Sequence, residues 1–269
     1  MNLSEAVKIL ADAKVPSPRH DARELFIRIG GMSLGELISG DASCDRPELE
    51  SAIERRKNRE PLQYILGSVD FYRESYEVGP DCLIPRQDTE ILVDFAVNNI
   101  PSGAKFLDLC TGSGCVAVST LKNTENTSAV ALDISEGALR IARKNAEKNG
   151  VYDRVEFVLG DALNFSSDNS YFAILSNPPY IREEVYSELE PEIYFEPKIA
   201  FTAGDGGLEF YKKILSSYKK ILDPCGFFAF EIGYDQGARL EEIAKANGMS
   251  CKIIKDYSGN DRVAVIRTL

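Results

Sequence analysis

The chain has 269 residues, 44% apolar and 27% charged, with a net charge of −11, which suits a globular protein large enough for an α/β domain and a smaller companion. So acidic a chain lacks the general basic footprint of a nucleic-acid binder; no apolar run approaches a membrane span, and Met1-Asn2-Leu3-Ser4-Glu5 does not open a signal peptide, so a cytoplasmic protein is expected. Six cysteines, at 44, 82, 110, 115, 225 and 251, form no C-x-x-C pair and His20 is the only histidine, so neither a disulfide framework, a metal site nor a histidine-based triad is expected.

In chain order, Leu3, Ala6, Val7 and Leu10 fall at helical spacing, and Ser17-Pro18 opens a second helix with the stripe Ala22, Leu25, Phe26 and Ile29. Ser33 to Glu36 reads as a capping box before a short third helix, and Pro47-Glu48 starts a fourth with Leu49, Ala52 and Ile53 inward. Together they predict a small helical bundle. Leu62 to Val78 reads as a hairpin, with Tyr64-Ile65-Leu66 and Tyr76-Glu77-Val78 as its strands. A helix with Leu92, Phe95 and Ala96 inward follows, and Asp88 and Glu90 suit its first turn through the helix dipole alone.

From Lys105 strand and helix alternate. The predicted strands are 106–109, 129–132, 155–159, 171–175 and 227–232, with helices over 115–121, 136–149 and 208–222 and a further one ending at Asn247. Such alternation predicts a mostly parallel sheet with helices on both faces. Lys252 to Tyr257 and Arg262 to Ile266 flank Ser258-Gly259-Asn260-Asp261, so an antiparallel hairpin closes the sheet.

Two stretches carry chemistry. Asp108-Leu109-Cys110-Thr111-Gly112-Ser113-Gly114 lies between a strand and a helix, where small residues admit a ligand to the backbone and the helix start offers N–H groups. It lacks the third glycine of a dinucleotide loop and the G-K-[ST] of a triphosphate loop. Asp133, about 20 residues beyond, can accept hydrogen bonds from a ribose diol, and Gly160-Asp161-Ala162 can flank a base. Singly, an aspartate at a strand end is an ordinary turn or cap residue; three such strand ends in series point to a site.

Asn177-Pro178-Pro179-Tyr180 ends an apolar strand. Pro178 keeps Asn177 extended, and neither proline offers an N–H. A bare N-P-P is most simply a turn, but after a nucleotide-type loop it has the makeup of a receptor for a planar –NH2 group: one side-chain carbonyl, one main-chain carbonyl and the flat face of Tyr180.

In this order and spacing, D-L-C-T-G-S-G, Asp133, G-D-A and N-P-P-Y resemble a Rossmann-like S-adenosylmethionine-dependent methyltransferase. The flanks are similar to the release-factor glutamine methyltransferase family (PrmC/HemK): R-E-P-L-Q-Y-I-L-G from Arg59, L-I-P-R-Q-D-T-E from Leu83, Phe195-Glu196-Pro197, A-G-D-G-G-L from Ala203, E-I-G-Y-D-Q-G from Glu231, and Asp261-Arg262. The resemblance implies a helical domain for substrate recognition over residues 1–58, a β-hairpin linker over 59–80 and a methyltransferase domain over 81–269. It implies S-adenosylmethionine as cofactor, contacted by Cys110, Thr111, Gly112, Ser113, Gly114, Asp133, Ala162 and Asn177.

It further implies that Asn177, Pro178, Pro179 and Tyr180 hold a substrate glutamine, with Asn177, Pro178 and Tyr180 catalytic. The substrates are then class I peptide release factors, met by a monomer that does not itself bind nucleic acid. Two residues depart from the family pattern: Gln87 replaces a usual proline, and Ala162 replaces an aromatic residue found in some members. The stretch from Arg182 to Asp205 is a candidate lid over the glutamine. The rivals are an adenine-specific nucleic-acid methyltransferase, which presents a similar exocyclic amine, and a non-catalytic cofactor-binding adaptor.

Overall fold

Capping residues and prolines decide where the first helices begin. The computed structural model describes residues 1–38 and 43–269. Helix α1 (Leu3–Asp12) is capped by Asn2, whose side chain accepts the Glu5 N–H at 2.8 Å while the Glu5 carboxylate accepts the Asn2 N–H at 2.9 Å. α2 (Pro18–Arg28) carries proline in its first turn. Before α3 (Leu34–Ile38) the predicted capping box is formed by Ser33 and Glu36. α4 (Pro47–Lys57) and α5 (Leu62–Leu66) follow, and Leu10, Leu25, Phe26, Leu49 and Ile53 are the centre of the helical core.

The chain divides into two compact units, Met1–Val69 with Glu190–Phe195, and Asp70–Leu189 with Glu196–Leu269. In the first, the buried Arg56 guanidinium joins Asp21 at 2.7 Å and Glu192 at 2.8 Å, and Glu192 also pairs with Arg59 at 2.6 Å. The short segment 190–195 is thereby fastened to the helices.

The predicted hairpin strand at Tyr64-Ile65-Leu66 is instead α5. Pro61 starts that helix and Gly67, at φ 72°, ends it in the left-handed region. The hairpin is shorter and later: β1 (Ser68–Phe71) pairs with β2 (Glu74–Glu77), and the unit boundary falls inside β1.

In the second unit, α6 (Glu90–Asn99) precedes β3 (Lys105–Leu109), α7 (Cys115–Lys122), β4 (Ser128–Asp133), α8 (Glu136–Lys148), β5 (Val155–Leu159) and β6 (Tyr171–Ser176). Two short helices, α9 (Glu183–Tyr186) and α10 (Gly204–Gly207), lead to α11 (Glu209–Tyr218), β7 (Leu222–Glu231), α12 (Gly237–Ala246), β8 (Met249–Lys255) and β9 (Asp261–Thr268). The strand order is β5-β4-β3-β6-β7-β9-β8, parallel except that β9 runs antiparallel to both neighbours.

The predicted helix over 208–222 stops at Tyr218, because Leu222 already begins β7. A register irregularity between Tyr171 and Ala173 carries β7 past Gly226, where a Cβ would lie 2.4 Å from the Phe172 carbonyl oxygen. Phe95 is only half-buried, unlike Leu92 and Ala96.

The chain winds outward through β3, β4 and β5, then returns to the other side of β3 with β6 and β7. The carboxyl ends of β3 and β6 therefore lie side by side at the topological switch point, where open α/β sheets bind ligands. Beneath them Leu107, Leu109, Ile174, Phe228 and Phe230 belong to one apolar core with Tyr211 and Leu215 of α11. No helix among the described residues is long and apolar enough to cross a membrane.

Candidate active site

The loop after β3 is built by residues that give up ordinary backbone geometry. Cys110, Gly112 and Gly114 have φ of 59°, 56° and 81°. Asp108, fully buried at the end of β3, accepts the Thr111 hydroxyl at 2.6 Å and the Ala117 N–H at 3.2 Å, tying the loop to the first turn of α7. Burial pushes its pKa up to about 7 against these two hydrogen bonds. Gly114 lets α7 approach α8, since a Cβ there would lie 3.0 Å from the Ala142 Cβ.

Asp133 ends β4 and uses both carboxylate oxygens, one accepting Gly112 N–H at 2.8 Å and the other Ser135 N–H at 2.9 Å. Burial raises its pKa, with the backbone N–H groups of Ser135, Gly112 and Ile134 opposing. The Cys110 thiol beside it is held well above its usual pKa by burial and by the Asp133 and Asp108 charges, so it is a neutral wall residue.

These groups border a cavity of about 360 Å³, within the range of small-molecule sites. Of the residues singled out in the sequence, Cys110, Gly112, Asp133, Ala162, Asn177 and Pro179 line it. Thr111, Ser113, Gly114, Pro178 and Tyr180 do not; the first three shape the loop. Asp161, named beside Ala162, lines the cavity too; Leu83, named only in a flanking motif, adds apolar wall together with Ile134 and Phe210, which the sequence reading missed. Opposite the open side of Gly112 no protein atom would meet a Cβ within 4 Å, so the loop backbone is accessible to a ligand. Gln87 is exposed and away from this lining, whereas Ala162 is part of it and fixes its own carbonyl on the Tyr218 hydroxyl at 2.6 Å.

The end of β6 is fastened by Ser176, whose hydroxyl donates to the Leu109 carbonyl at 2.7 Å. Beyond it, Asn177 Nδ2 donates to Thr89 Oγ1 at 3.2 Å, Thr89 donates to Glu231 Oε2 at 2.5 Å, and the Tyr180 hydroxyl donates to Glu231 Oε1 at 3.1 Å. Glu231 is buried at the end of β7; burial raises its pKa while the Thr89 and Tyr180 hydroxyls and the Arg262 charge oppose. The Tyr180 carbonyl accepts Gln236 Nε2 at 3.2 Å, and its N–H donates to Phe201 O at 3.1 Å.

The remaining motifs brace this arrangement. Arg262 pairs with Asp88 at 3.1 Å and Asp256 at 3.3 Å. Glu196 is buried against Arg86 and accepts the Ile84 N–H at 2.8 Å, so Glu196 and the stretch Leu83 to Glu90 meet in space. Tyr180 faces a second cavity of about 330 Å³ bordered by Arg182, Tyr234, Arg239 and Arg262. Thr89 and Glu231 had entered the sequence reading only inside longer motifs. A charged residue closing the apolar run Phe227 to Phe230 was the available signal.

Residues 2–67 match the family model "PrmC N-terminal domain" and residues 87–193 match "Methyltransferase small domain". The release factor glutamine methyltransferase of Thermodesulfovibrio yellowstonii is 38% identical over 225 residues, 81% of this chain and 80% of that protein. The release factor glutamine methyltransferase of Caulobacter vibrioides is 33% identical over 264 residues, 95% and 91% of the two chains. In fold, the chain is similar to a ribosomal protein L11 methylase from Lactobacillus delbrueckii subsp. bulgaricus, with a TM-score of 0.52 and 20% identity over 71% of this chain and 84% of the other.

Proposed function

The chain belongs to the release factor glutamine methyltransferase family, and from that premise we propose that it methylates the side-chain amide nitrogen of the glutamine in the Gly-Gly-Gln motif of class I peptide chain release factors, with S-adenosylmethionine as donor. The observation that carries this reading is the Asn177 carboxamide lining the cavity, which gives an N–H to Thr89 Oγ1 and so has its carbonyl oxygen as the group to accept from a substrate amide.

The cavity residues suit the cofactor. Asp133 supplies a carboxylate for ribose hydroxyls, Gly112 lets the ligand approach the backbone, and Ala162, Ile134 and Phe210 give an apolar slot for the base. Thr111, Ser113 and Gly114 keep the loop in shape. When bound, S-adenosylmethionine supplies an electrophilic methyl group.

An amide nitrogen is a poor nucleophile because its lone pair is delocalised into the carbonyl. Asn177 Oδ1 and the Pro178 carbonyl each accept one N–H of the substrate amide, which fixes its direction and favours the positive charge that develops on nitrogen. Pro179 and Tyr180 hold the flat group from the sides. The nitrogen gains the methyl as the methyl–sulfur bond breaks, with S-adenosylhomocysteine as the leaving group, and then loses a proton to water; no general base is needed to begin.

Under this reading residues 1–58 form the recognition domain, 59–80 the linker and 81–269 the catalytic domain. Specificity needs such a surface, because three residues carry little information. Under this reading the enzyme acts as a cytoplasmic monomer.

The test is transfer of a labelled methyl group from S-adenosylmethionine to a purified release factor, beside its Gly-Gly-Ala variant and a DNA control. Label on the intact factor alone is expected. Label on DNA or on both forms of the factor overturns the reading.

A further inference from the structure

A carboxamide grips a substrate N–H only through its oxygen, so something must decide which end of Asn177 faces the substrate. We infer that Glu231 and Thr89 are positioning residues that hold the Asn177 carboxamide with Oδ1 toward the reacting amide, an inference that rests on the proposed role of Asn177. The direction follows from counting protons along the chain of contacts. Glu231 accepts a hydroxyl on each of its oxygens, from Thr89 and from Tyr180, and a threonine hydroxyl has one proton to give. Thr89 gives that proton to Glu231 Oε2 at 2.5 Å. Only lone pairs remain on Thr89 Oγ1 for the group 3.2 Å away, which must therefore be Nδ2H2 of Asn177. The flipped carboxamide would set Oδ1 against those lone pairs, acceptor facing acceptor, and leave both without a hydrogen bond.

Glu231 directs a second group in the same way. Its other oxygen accepts the Tyr180 hydroxyl at 3.1 Å, so one buried carboxylate sets both the residue that opens the N-P-P-Y run and the one that closes it. The sheet makes this possible: Ser176 of β6 is in register with Phe230 of β7, which brings the next residues, Asn177 and Glu231, out at adjacent strand ends. Thr89, almost fully buried in the turn before α6, bridges the gap.

The test contrasts Thr89→Val, which keeps the shape and removes the hydroxyl, with Thr89→Ser, which keeps the hydroxyl. Methyl transfer to a purified release factor is measured at saturating S-adenosylmethionine, S-adenosylhomocysteine affinity by calorimetry, and exchange of the Asn177 side-chain amide protons by 15N NMR. Thr89→Val is expected to lower kcat by about 10–100-fold with affinity for S-adenosylhomocysteine nearly unchanged, while Thr89→Ser restores most of the rate. Asn177 exchange should be slow in the wild type and in Thr89→Ser and fast in Thr89→Val. Should valine prevent folding, Thr89→Ala takes its place. Wild-type rate and exchange in the hydroxyl-free variant overturn the inference, as do equal losses in the serine and valine variants, which mark packing alone. A wild-type enzyme that leaves the release factor unlabelled overturns the substrate reading instead. The exchange comparison then decides the orientation by itself, with unchanged exchange in Thr89→Val sinking it.

Discussion

Asp133 Oδ2 accepts the Gly112 N–H at 2.8 Å, so the carboxylate at the end of β4 holds the loop that follows β3. The same side chain borders the cavity and, under the proposed function, accepts from a ribose diol. Asp133→Ala removes a charged acceptor from both. Hydrogen bonds to a charged group are worth about 1.5–3 kcal/mol, so S-adenosylhomocysteine affinity should fall by about 10–150-fold by calorimetry. Unaltered affinity would mean that the carboxylate serves the loop alone.

Gly112 and Gly114 both have positive φ, but a Cβ meets open space at Gly112 and the Ala142 side chain and backbone at Gly114. Gly112→Ala should therefore cost only the left-handed strain of about 1–2 kcal/mol in urea unfolding while abolishing cofactor binding. Gly114→Ala adds a clash between α7 and α8, and the total loss should reach about 2–5 kcal/mol. Comparing the two melting curves with the two binding isotherms separates the ligand-facing glycine from the packing glycine.

Asn177→Ala removes the acceptor assigned to the substrate amide but leaves Asp133, Gly112 and Ala162 in place around the cavity. Turnover should drop by about 10²–10³-fold, the scale for losing one preorganised transition-state contact, with little change in S-adenosylhomocysteine affinity. Asn177→Asp should do no better: it has no N–H for Thr89 Oγ1 and brings a second carboxylate to the Thr89–Glu231 network. Equal losses of turnover and affinity in Asn177→Ala would make the residue structural.

Much of this was legible in sequence because the sheet strands are short apolar runs punctuated by small residues. Phe106 to Leu109 and Ala129 to Leu132 are each followed within a few residues by small or polar ones, Thr111-Gly112-Ser113-Gly114 and Asp133 with Ser135, and both loops fell at the cavity. Tyr64-Ile65-Leu66 misled because aromatic and β-branched residues favour strands, while the stop signals on either side, Pro61 and Gly67, favour one helical turn. Thr89 and Glu231 were beyond local reading: 142 positions separate them, and only the sheet order makes them neighbours. The assignment of 190–195 to the helical unit is of the same kind, since it depends on Arg56 and Arg59 more than 130 residues upstream.

The Asp108 carboxyl is pushed up to about 7 from an ordinary 3.8 by burial. The folded chain thus binds this proton more tightly than the unfolded chain, and stability falls as pH rises between those two values. Each pH unit in that window is worth about 1.4 kcal/mol. Asp108→Asn removes the titration, so urea midpoints of the wild type, referred to the variant, should decline from pH 4 to pH 7 and level off above it. A flat difference would show that Asp108 is ionised in the fold throughout.

Arg56 is nearly inaccessible between Asp21 and Glu192, whereas the Lys57–Glu54 pair on the same helix is exposed. Removing one partner from a buried pair strands the other charge, at about 3–5 kcal/mol. Arg56 keeps Glu192 as a partner, so Asp21→Ala should destabilise the helical unit by about 3 kcal/mol or somewhat less in chemical unfolding, while Glu54→Ala stays within about 1 kcal/mol. The Glu192 carboxyl, raised by burial but lowered more by Arg59 and Arg56, ends below its ordinary 4.5. Its contribution is complete above that value and is lost as pH falls through the depressed pKa. Glu192→Gln should thus be less stable than the wild type at neutral pH and converge with it in acid, and a constant gap at all pH values would assign the loss to packing instead of charge.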